Sequence, residues 1–199
     1  MSESEPESRS RRNRERRTIV IRRDDHIGDP ISIAWLAPAD TVGDAIMGRL
    51  QDYLGPKARI AKAEISRDSM EVEVEVRGWP DEADHMARAA RDLAEKGGRR
   101  AALQMCEESL QLDFLSIEAL STKGVILTAL GRDEEALQAF KRAREFGAPG
   151  VEPVLQLVRC AMRLKRLGAA VHYVHEALRI EPQNSEARRA LRSIKRQMK

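Results

Sequence analysis

Two histidines, His172 and His175, lie three residues apart near the C-terminal end, and Glu176 follows the second. Imidazole and carboxylate groups about one helical turn apart can bind zinc, which takes three or four such ligands in proteins. No further ligand stands nearby at a motif spacing. We therefore expect these side chains to be solvated on the outer side of a helix, and we expect no metal site.

The sequence contains no other set of residues typical of a catalytic centre. Gly97 and Gly98 end a helix and lack the longer glycine pattern of a phosphate-binding loop. Cys106 and Cys160 are too far apart in sequence to form a metal-binding pair, and two cysteines make no disulfide framework. We expect Cys106 to be a buried, unreactive thiol. The sequence therefore predicts a protein that is not an enzyme and has no cofactor.

The elements that position these residues must form a small, mainly helical fold. Of the 199 residues, 42% are hydrophobic and 34% are charged, which suits one or two compact domains. Aromatic residues make up only 4%, so we expect an aliphatic, alanine-rich core of close-packed helices. No apolar run approaches the roughly 18 residues of a membrane span, and the N-terminus lacks a secretory signal. We expect a cytoplasmic protein.

The two ends of the chain are basic and the middle is acidic. Residues 1–17 carry a net charge of +2 and residues 183–199 carry +5, which leaves −4 for the remainder of a chain with +3. Because residues 1–17 have almost no apolar side chain, we predict a disordered charged tail there. The basic ends keep open an alternative function, association with nucleic acid, although few aromatic side chains are present for base stacking.

The second half of the chain repeats with a period of 34 residues from about residue 83, and eight columns keep this register over three units. The columns include Ala102, Ala136 and Ala170; Cys106, Phe140 and Val174; and Ala90, Gly124 and Val158. Within each unit the apolar residues have helical spacing, with turn signals in the middle and at the end. Each unit is therefore predicted to be a hairpin of two helices that cross at small side chains.

This pattern resembles the tetratricopeptide repeat (TPR) family in its repeat length and small-residue columns. The residues of the second unit that follow the family motif are Leu120, Gly124, Leu127, Ala136, Phe140 and Ala143. Pro182 stands at the terminal proline of the motif. The resemblance covers about residues 83–182 and implies three stacked hairpins in a right-handed superhelix. Residues 184–199 look like the capping helix that such a stack needs.

In this family the first helices of the hairpins line a concave groove that binds peptides. The resemblance places nine residues of this chain in that groove: Arg91, Glu95, Ser121, Val125, Thr128, Leu155, Arg159, Met162 and Arg163. The apolar members provide contact area and the arginines favour acidic groups. We therefore expect a protein partner that contributes an acidic or amphipathic peptide or helix.

Two alternatives to peptide binding remain for these residues: they face solvent, or the protein's own N-terminal segment covers them. Some family members clamp the carboxylate tails of heat-shock chaperones. The corresponding positions here hold Ala87, Arg91, Thr122, Glu152 and Gln156. Only one of these is basic and one is acidic, so we do not expect that role.

Residues 18–80 are predicted to form a small ββαββ domain, which makes the whole chain α+β. The predicted strands cover 18–22, 31–36, 59–66 and 70–77, and the predicted helix covers 41–54. Glutamate and valine alternate over 71–76, so we expect valines toward the core and glutamates toward water. An exposed strand edge here could form a homodimer, unless its charges protect it. The predicted TPR domain with its capping helix spans residues 81–199.

The sequence and the resemblance together predict an adaptor, scaffold or assembly factor. It would hold a peptide or helix of a partner protein in the groove of the repeats, without catalysis. Nucleic-acid association through the basic ends is the alternative from a different class. A further alternative is a chaperone for secreted bacterial proteins, which the repeat region resembles in general form.

Overall fold

The computed structural model describes residues 13–22, 42–54, 58–66, 69–78 and 80–198. They form a three-stranded sheet with one helix, followed by seven helices, which confirms the predicted α+β class. The strands are β1 (Asn13–Arg22), β2 (Ala58–Ile65) and β3 (Ser69–Gly78), and α1 (Val42–Leu54) stands between β1 and β2. The C-terminal helices are α2 (Pro80–Glu95), α3 (Arg99–Leu112), α4 (Ile117–Ala129), α5 (Asp133–Glu145), α6 (Glu152–Arg163), α7 (Leu167–Ile180) and α8 (Ser185–Gln197).

In the sheet, β3 lies between β1 and β2 and is antiparallel to both. Ile19 of β1 is opposite Val72 of β3, and both side chains are fully buried. Glu71 and Glu73, the neighbours of Val72, are exposed. Successive side chains of a strand point to opposite faces, so β3 has one apolar and one acidic face. The predicted alternation of glutamate and valine is confirmed here.

Strand β1 begins at Asn13, so residues 13–17 belong to the sheet and not to the predicted tail. Residues 13–17 pair with residues 74–78 of β3 in the antiparallel ladder. Two ion pairs add to this pairing: Arg16 Nη2 lies 2.9 Å from Glu75 Oε1 on β3, and Arg17 Nη1 lies 3.1 Å from Asp113 Oδ2. Residues 1–12 and the predicted strand at 31–36 lie outside the described residues. Dimerisation through an edge of the sheet stays a prediction.

The seven C-terminal helices form three hairpins, α2 with α3, α4 with α5 and α6 with α7, and α8 packs against the last of them. The turns inside the hairpins are equivalent, since Gly97, Gly131 and Lys165 stand at intervals of one repeat and have φ values of +96°, +75° and +57°. Glycine adopts this conformation easily because it lacks a Cβ atom. Lys165 adopts it because the third hairpin must reverse direction at the same place.

The small side chains predicted at the helix crossings allow close contact between the paired helices. Ala102, Ala136 and Ala170 are fully buried. A Cβ atom on Gly124 of α4 would lie 2.6 Å from the ring of Phe140 on α5, closer than two carbon atoms can pack. The predicted role of these columns is therefore confirmed.

Helix α8 covers the end of the stack, as the resemblance implies. Asn184 caps it by accepting a hydrogen bond of 3.0 Å from the amide of Ala187. Ala187 and Ile194 are fully buried, whereas Met198, which follows the last residue of the helix, is exposed. Among the described helices, none has the length and apolar content of a membrane-spanning segment.

The sheet and α1 pack on the C-terminal helices through one shared apolar cluster. Ile19, Val72 and Leu54 belong to the same cluster of buried residues as Leu115, before α4, and Phe146, after α5. The small N-terminal domain therefore does not fold around its own core alone. Its contacts extend to the second hairpin.

Ionic contacts extend this interface to α7. Glu176 accepts a hydrogen bond from Arg144 of α5 and lies 4.0 Å from Arg22 Nη1 of β1. Glu176 is buried because the end of β1 and the side of α5 cover it. The expectation that it faces solvent is wrong. His175 is exposed, whereas His172 is half-buried with its ring against Tyr173. Within the described residues, no three His, Cys, Asp or Glu side chains come together as a metal site.

We expect Lys165→Gly to raise the free energy of unfolding by about 1 kcal/mol, because glycine adopts positive φ without a steric penalty. For a chain of this length, thermal denaturation followed by circular dichroism should show a Tm higher by about 3 °C. The matched control is Gly131→Lys at the equivalent turn, which should lower the Tm by a similar amount. A lower Tm for Lys165→Gly would contradict the assigned strain.

Candidate partner-binding groove

The first helices of the hairpins each expose one stripe of side chains. On α4 the stripe consists of Glu118, Ser121, Val125 and Thr128, and on α6 it consists of Glu152, Gln156, Arg159 and Arg163. Residues three or four apart lie on the same side of a helix, so each set forms a continuous surface. We call these two stripes, together with Arg91 and Glu95 of α2, the groove face.

Seven of the nine residues predicted to line the groove lie on the groove face, and two do not. Leu155 was expected there, but it is only 3% exposed. It belongs to the apolar cluster that includes Val151 and Val158, because α6 turns this side toward the core. Met162 is half-buried against the same cluster. Of the three apolar residues predicted to line the groove, Val125 is thus the exposed one, with 52% exposure.

The arginines of the groove face pair with carboxylates of the protein itself, a contact that we did not predict. Arg91 Nη2 lies 2.6 Å from Glu118 Oε1 and donates to Thr122 Oγ1 at 3.1 Å. Arg159 donates from Nε and from Nη2 to the two carboxylate oxygens of Glu186 on α8, each at 2.6 Å. These hydrogen bonds to Glu186 raise the pKa of Arg159, so its charge is firmly retained.

The two ion pairs are equivalent contacts in the first and third repeats. Each pair joins an arginine on the first helix of a hairpin to a glutamate in the first turn of a later helix. That later helix is α4 for Arg91 and α8 for Arg159. The acids Glu118, Glu152 and Glu186 stand at intervals of 34 residues, and so do Arg91, Val125 and Arg159. This pair of columns was visible in the sequence and is the signal that could have predicted the contacts.

Carboxylates outnumber guanidinium groups on and beside the groove face. Arg163 Nε lies 3.0 Å from Asp133 Oδ1, so the third arginine is paired as well. The three arginines of the face stand among the carboxylates of Glu95, Glu118, Asp133, Glu152 and Glu186. These pairs remove the reason for expecting an acidic partner, because an acidic ligand would have to displace an internal carboxylate from each guanidinium group.

The two cysteines are buried, and Thr128 of the groove face lies next to one of them. Thr128 donates its hydroxyl to the carbonyl oxygen of Gly124 at 2.9 Å, and its Oγ1 lies 3.9 Å from Cys160 Sγ. Both thiols are buried. Desolvation raises the pKa of Cys106 to about 11 and also raises the pKa of Cys160. The expectation of a buried thiol at Cys106 is confirmed.

We expect both thiols to resist Ellman's reagent in the folded protein at pH 8, because the reactive thiolate is disfavoured at both sites. Absorbance at the start of the reaction should show almost no release of the coloured product. Addition of guanidinium chloride should then give two equivalents of product per chain. Rapid labelling of one thiol before denaturation would contradict the assigned burial.

Comparisons with known proteins give matches among solved structures only. No family model matches the chain, and no curated protein matches it in sequence. The first TPR of Spaghetti (RPAP3) bound to an HSP90 peptide is 16% identical, with a TM-score of 0.56 over 60% of this chain and 94% of that one. The helical half of the chain has the TPR fold.

Two further TPR structures support the same fold. The second TPR domain of human RPAP3, in complex with an HSP70 peptide, is 16% identical with a TM-score of 0.54 over 58% of this chain and 98% of that chain. YrrB, a TPR protein with an unusual peptide-binding site, is 21% identical with a TM-score of 0.50 over 53% of this chain. The match spans about half of the YrrB chain, 54%. The TPR architecture inferred from the repeat is thus confirmed.

Proposed function

We propose that this protein is a non-catalytic adaptor that holds a short segment of a partner protein on the groove face of its TPR stack. The TPR fold supports this proposal, since similarly folded domains have been captured with peptides from HSP90 and HSP70. The partner is a different one, because Arg91 already contacts Glu118 and Thr122 and is therefore poorly placed to clamp a carboxylate tail.

The observation that carries the proposal is the exposure of Val125 in the middle of the groove face. This valine is 52% exposed, and its neighbours on α4 are the half-buried hydroxyl side chains Ser121 and Thr128. Small side chains leave room for a ligand to approach the helix, and the valine provides an apolar contact. An amphipathic segment, with one apolar side directed at α4, fits this surface best.

The α/β part of the chain packs elsewhere, mainly on residues of the second hairpin that lie outside the groove face. Leu54 of α1 and Ile19 of β1 share their apolar cluster with Phe146, and Tyr53 donates a hydrogen bond to Glu145 at the end of α5. In the proposed adaptor this part braces the outer side of the stack, and the groove face binds the partner.

We expect Val125→Gln to reduce recovery of the partner about tenfold, because loss of the valine contact removes about 1.5 kcal/mol of binding free energy. Affinity capture from a lysate, followed by quantitative mass spectrometry, compares the variant with the unchanged protein. The matched control is Ile180→Gln, which replaces another exposed aliphatic side chain at the end of α7. Equal recovery with Val125→Gln and the unchanged protein would contradict the proposed site.

A second candidate function, association with nucleic acid, is favoured by one side of α8. Five cations of this helix are exposed: Arg188, Arg189, Arg192, Lys195 and Arg196. Within the described part of the chain, no ion pair joins them to a carboxylate. Their spacing places them on one side of the helix, as suits contact with a phosphate backbone.

We expect replacement of Arg189, Arg192, Lys195 and Arg196 by glutamine to weaken binding of a short DNA duplex and to reduce its salt dependence. The slope of log K against log salt should fall by about 3 to 4 units, since each lost phosphate contact lowers it by about one. Fluorescence anisotropy at several salt concentrations measures this slope. The control replaces Arg88, Lys96, Arg99 and Arg100, which are exposed at the other end of the stack. An equal effect in both variants would exclude a site on α8.

A further inference from the structure

On the groove face, an ion pair between an arginine and a glutamate occurs in the first and third repeats but not in the second. Arg91 pairs with Glu118 and Arg159 pairs with Glu186, in each case across a separation of 27 residues. The corresponding middle pair would join residue 125 to Glu152, but residue 125 is a valine. The protein therefore supplies the acid of this pair and lacks its base.

Glu152 differs in its surroundings from the two glutamates that have a partner on the preceding first helix. Its side chain is 63% exposed, against 30% for Glu118 and 39% for Glu186. Its Oε1 atom accepts hydrogen bonds from Gln156 at 2.8 Å and from Arg159 at 3.0 Å. Both donors come from its own helix, so the side toward α4 lacks the guanidinium group that the other two glutamates have.

Arg159 does not replace the missing base. Its Nε and Nη2 atoms are directed at Glu186, and only Nη1 reaches Glu152. One guanidinium group thus pairs with two carboxylates. The middle of the groove face therefore carries an excess of negative charge. A carboxylate accepts several hydrogen bonds, so Glu152 retains capacity for a further donor.

We propose that the groove face recognises a lysine or arginine of the partner segment, which lies on Val125 and pairs with Glu152. This inference rests on the proposed function, since it names the chemistry of the segment held on the groove face. The aliphatic part of the basic side chain covers the exposed valine, and its charged end reaches the carboxylate. The partner supplies in trans the contact that Arg91 and Arg159 make within the chain.

Charge complementarity favours this basic ligand over an acidic one. A carboxylate placed over Val125 would approach Glu152 and find the nearby arginines already paired. A purely apolar segment would cover Val125 but would desolvate Glu152 without a partner, which is unfavourable. A segment with one basic residue between apolar residues satisfies both groups.

The decisive variant is Val125→Arg, which places the missing base in the chain itself. The introduced guanidinium group occupies the position that Arg91 and Arg159 have in their own repeats and is expected to pair with Glu152. The variant should therefore fold with an unchanged or higher Tm. It should also block the groove face, because the internal arginine occupies the place of the ligand. Circular dichroism and thermal denaturation establish folding before any binding measurement.

The probe for binding is a library of random peptides displayed on phage and selected on the immobilised full-length protein. We expect the unchanged protein to enrich peptides with a lysine or arginine flanked by apolar residues. Binding of a synthetic copy of such a peptide should weaken about tenfold with Val125→Arg and with Glu152→Gln, as is usual for loss of a charged hydrogen bond. Glu108→Gln is the control, because this exposed acid on α3 likewise accepts a bond from a glutamine, Gln104.

The outcomes separate this inference from the proposed function. If the unchanged protein enriches no peptide beyond the level found with Val125→Arg, the groove face binds no segment and both proposals fail. If it enriches peptides that lack a basic residue, or whose affinity is the same with Glu152→Gln, the groove binds a segment but the inferred chemistry is wrong. If Glu108→Gln weakens binding as much as Glu152→Gln, the effect is one of net charge and the inference is overturned.

Discussion

The close contact between the two helices of each hairpin is the constraint on which the rest of the structure depends. The ring of Phe140 occupies the space that a side chain on Gly124 would need, and the second helices of the three hairpins carry the fully buried alanines Ala102, Ala136 and Ala170. Because these contacts hold paired helices at short distance, the turn between them must reverse the chain within a few residues. That requirement explains why even Lys165 adopts the positive φ of the glycines at the equivalent turns.

Regular packing of the hairpins also determines the chemistry of the groove face. When units stack in the same way, a contact between one position and another position of the next unit can recur along the stack. Arg91 and Arg159 meet Glu118 and Glu186 for this reason. A single replacement in such a column, valine at position 125, changes the surface locally without changing the fold. Function can thus differ between repeats while their architecture stays the same.

The α/β part of the chain packs on the stack of hairpins and shares one apolar core with it. Its three strands and one helix share their apolar cluster with Leu115 and Phe146. The basic residues at the start of β1 pair with β3 in the sheet and form ion pairs with carboxylates on β3 and before α4. The burial of Glu176 between Arg144 and Arg22 follows from the same arrangement, since only a covered carboxylate with cationic partners is stable there.

Local sequence pattern alone determined the helices, the turns at Gly97 and Gly131, the small residues at the crossings and the two faces of strand β3. Each of these features depends on residues that are near one another in the sequence. The repeat extended that information to the TPR fold, since one hairpin predicts the next. Tertiary structure decided that Leu155 faces the core, that Glu176 is buried and that the arginines of the groove face are paired. Each of these depends on which element lies opposite a side chain, and that neighbour comes from a distant part of the chain.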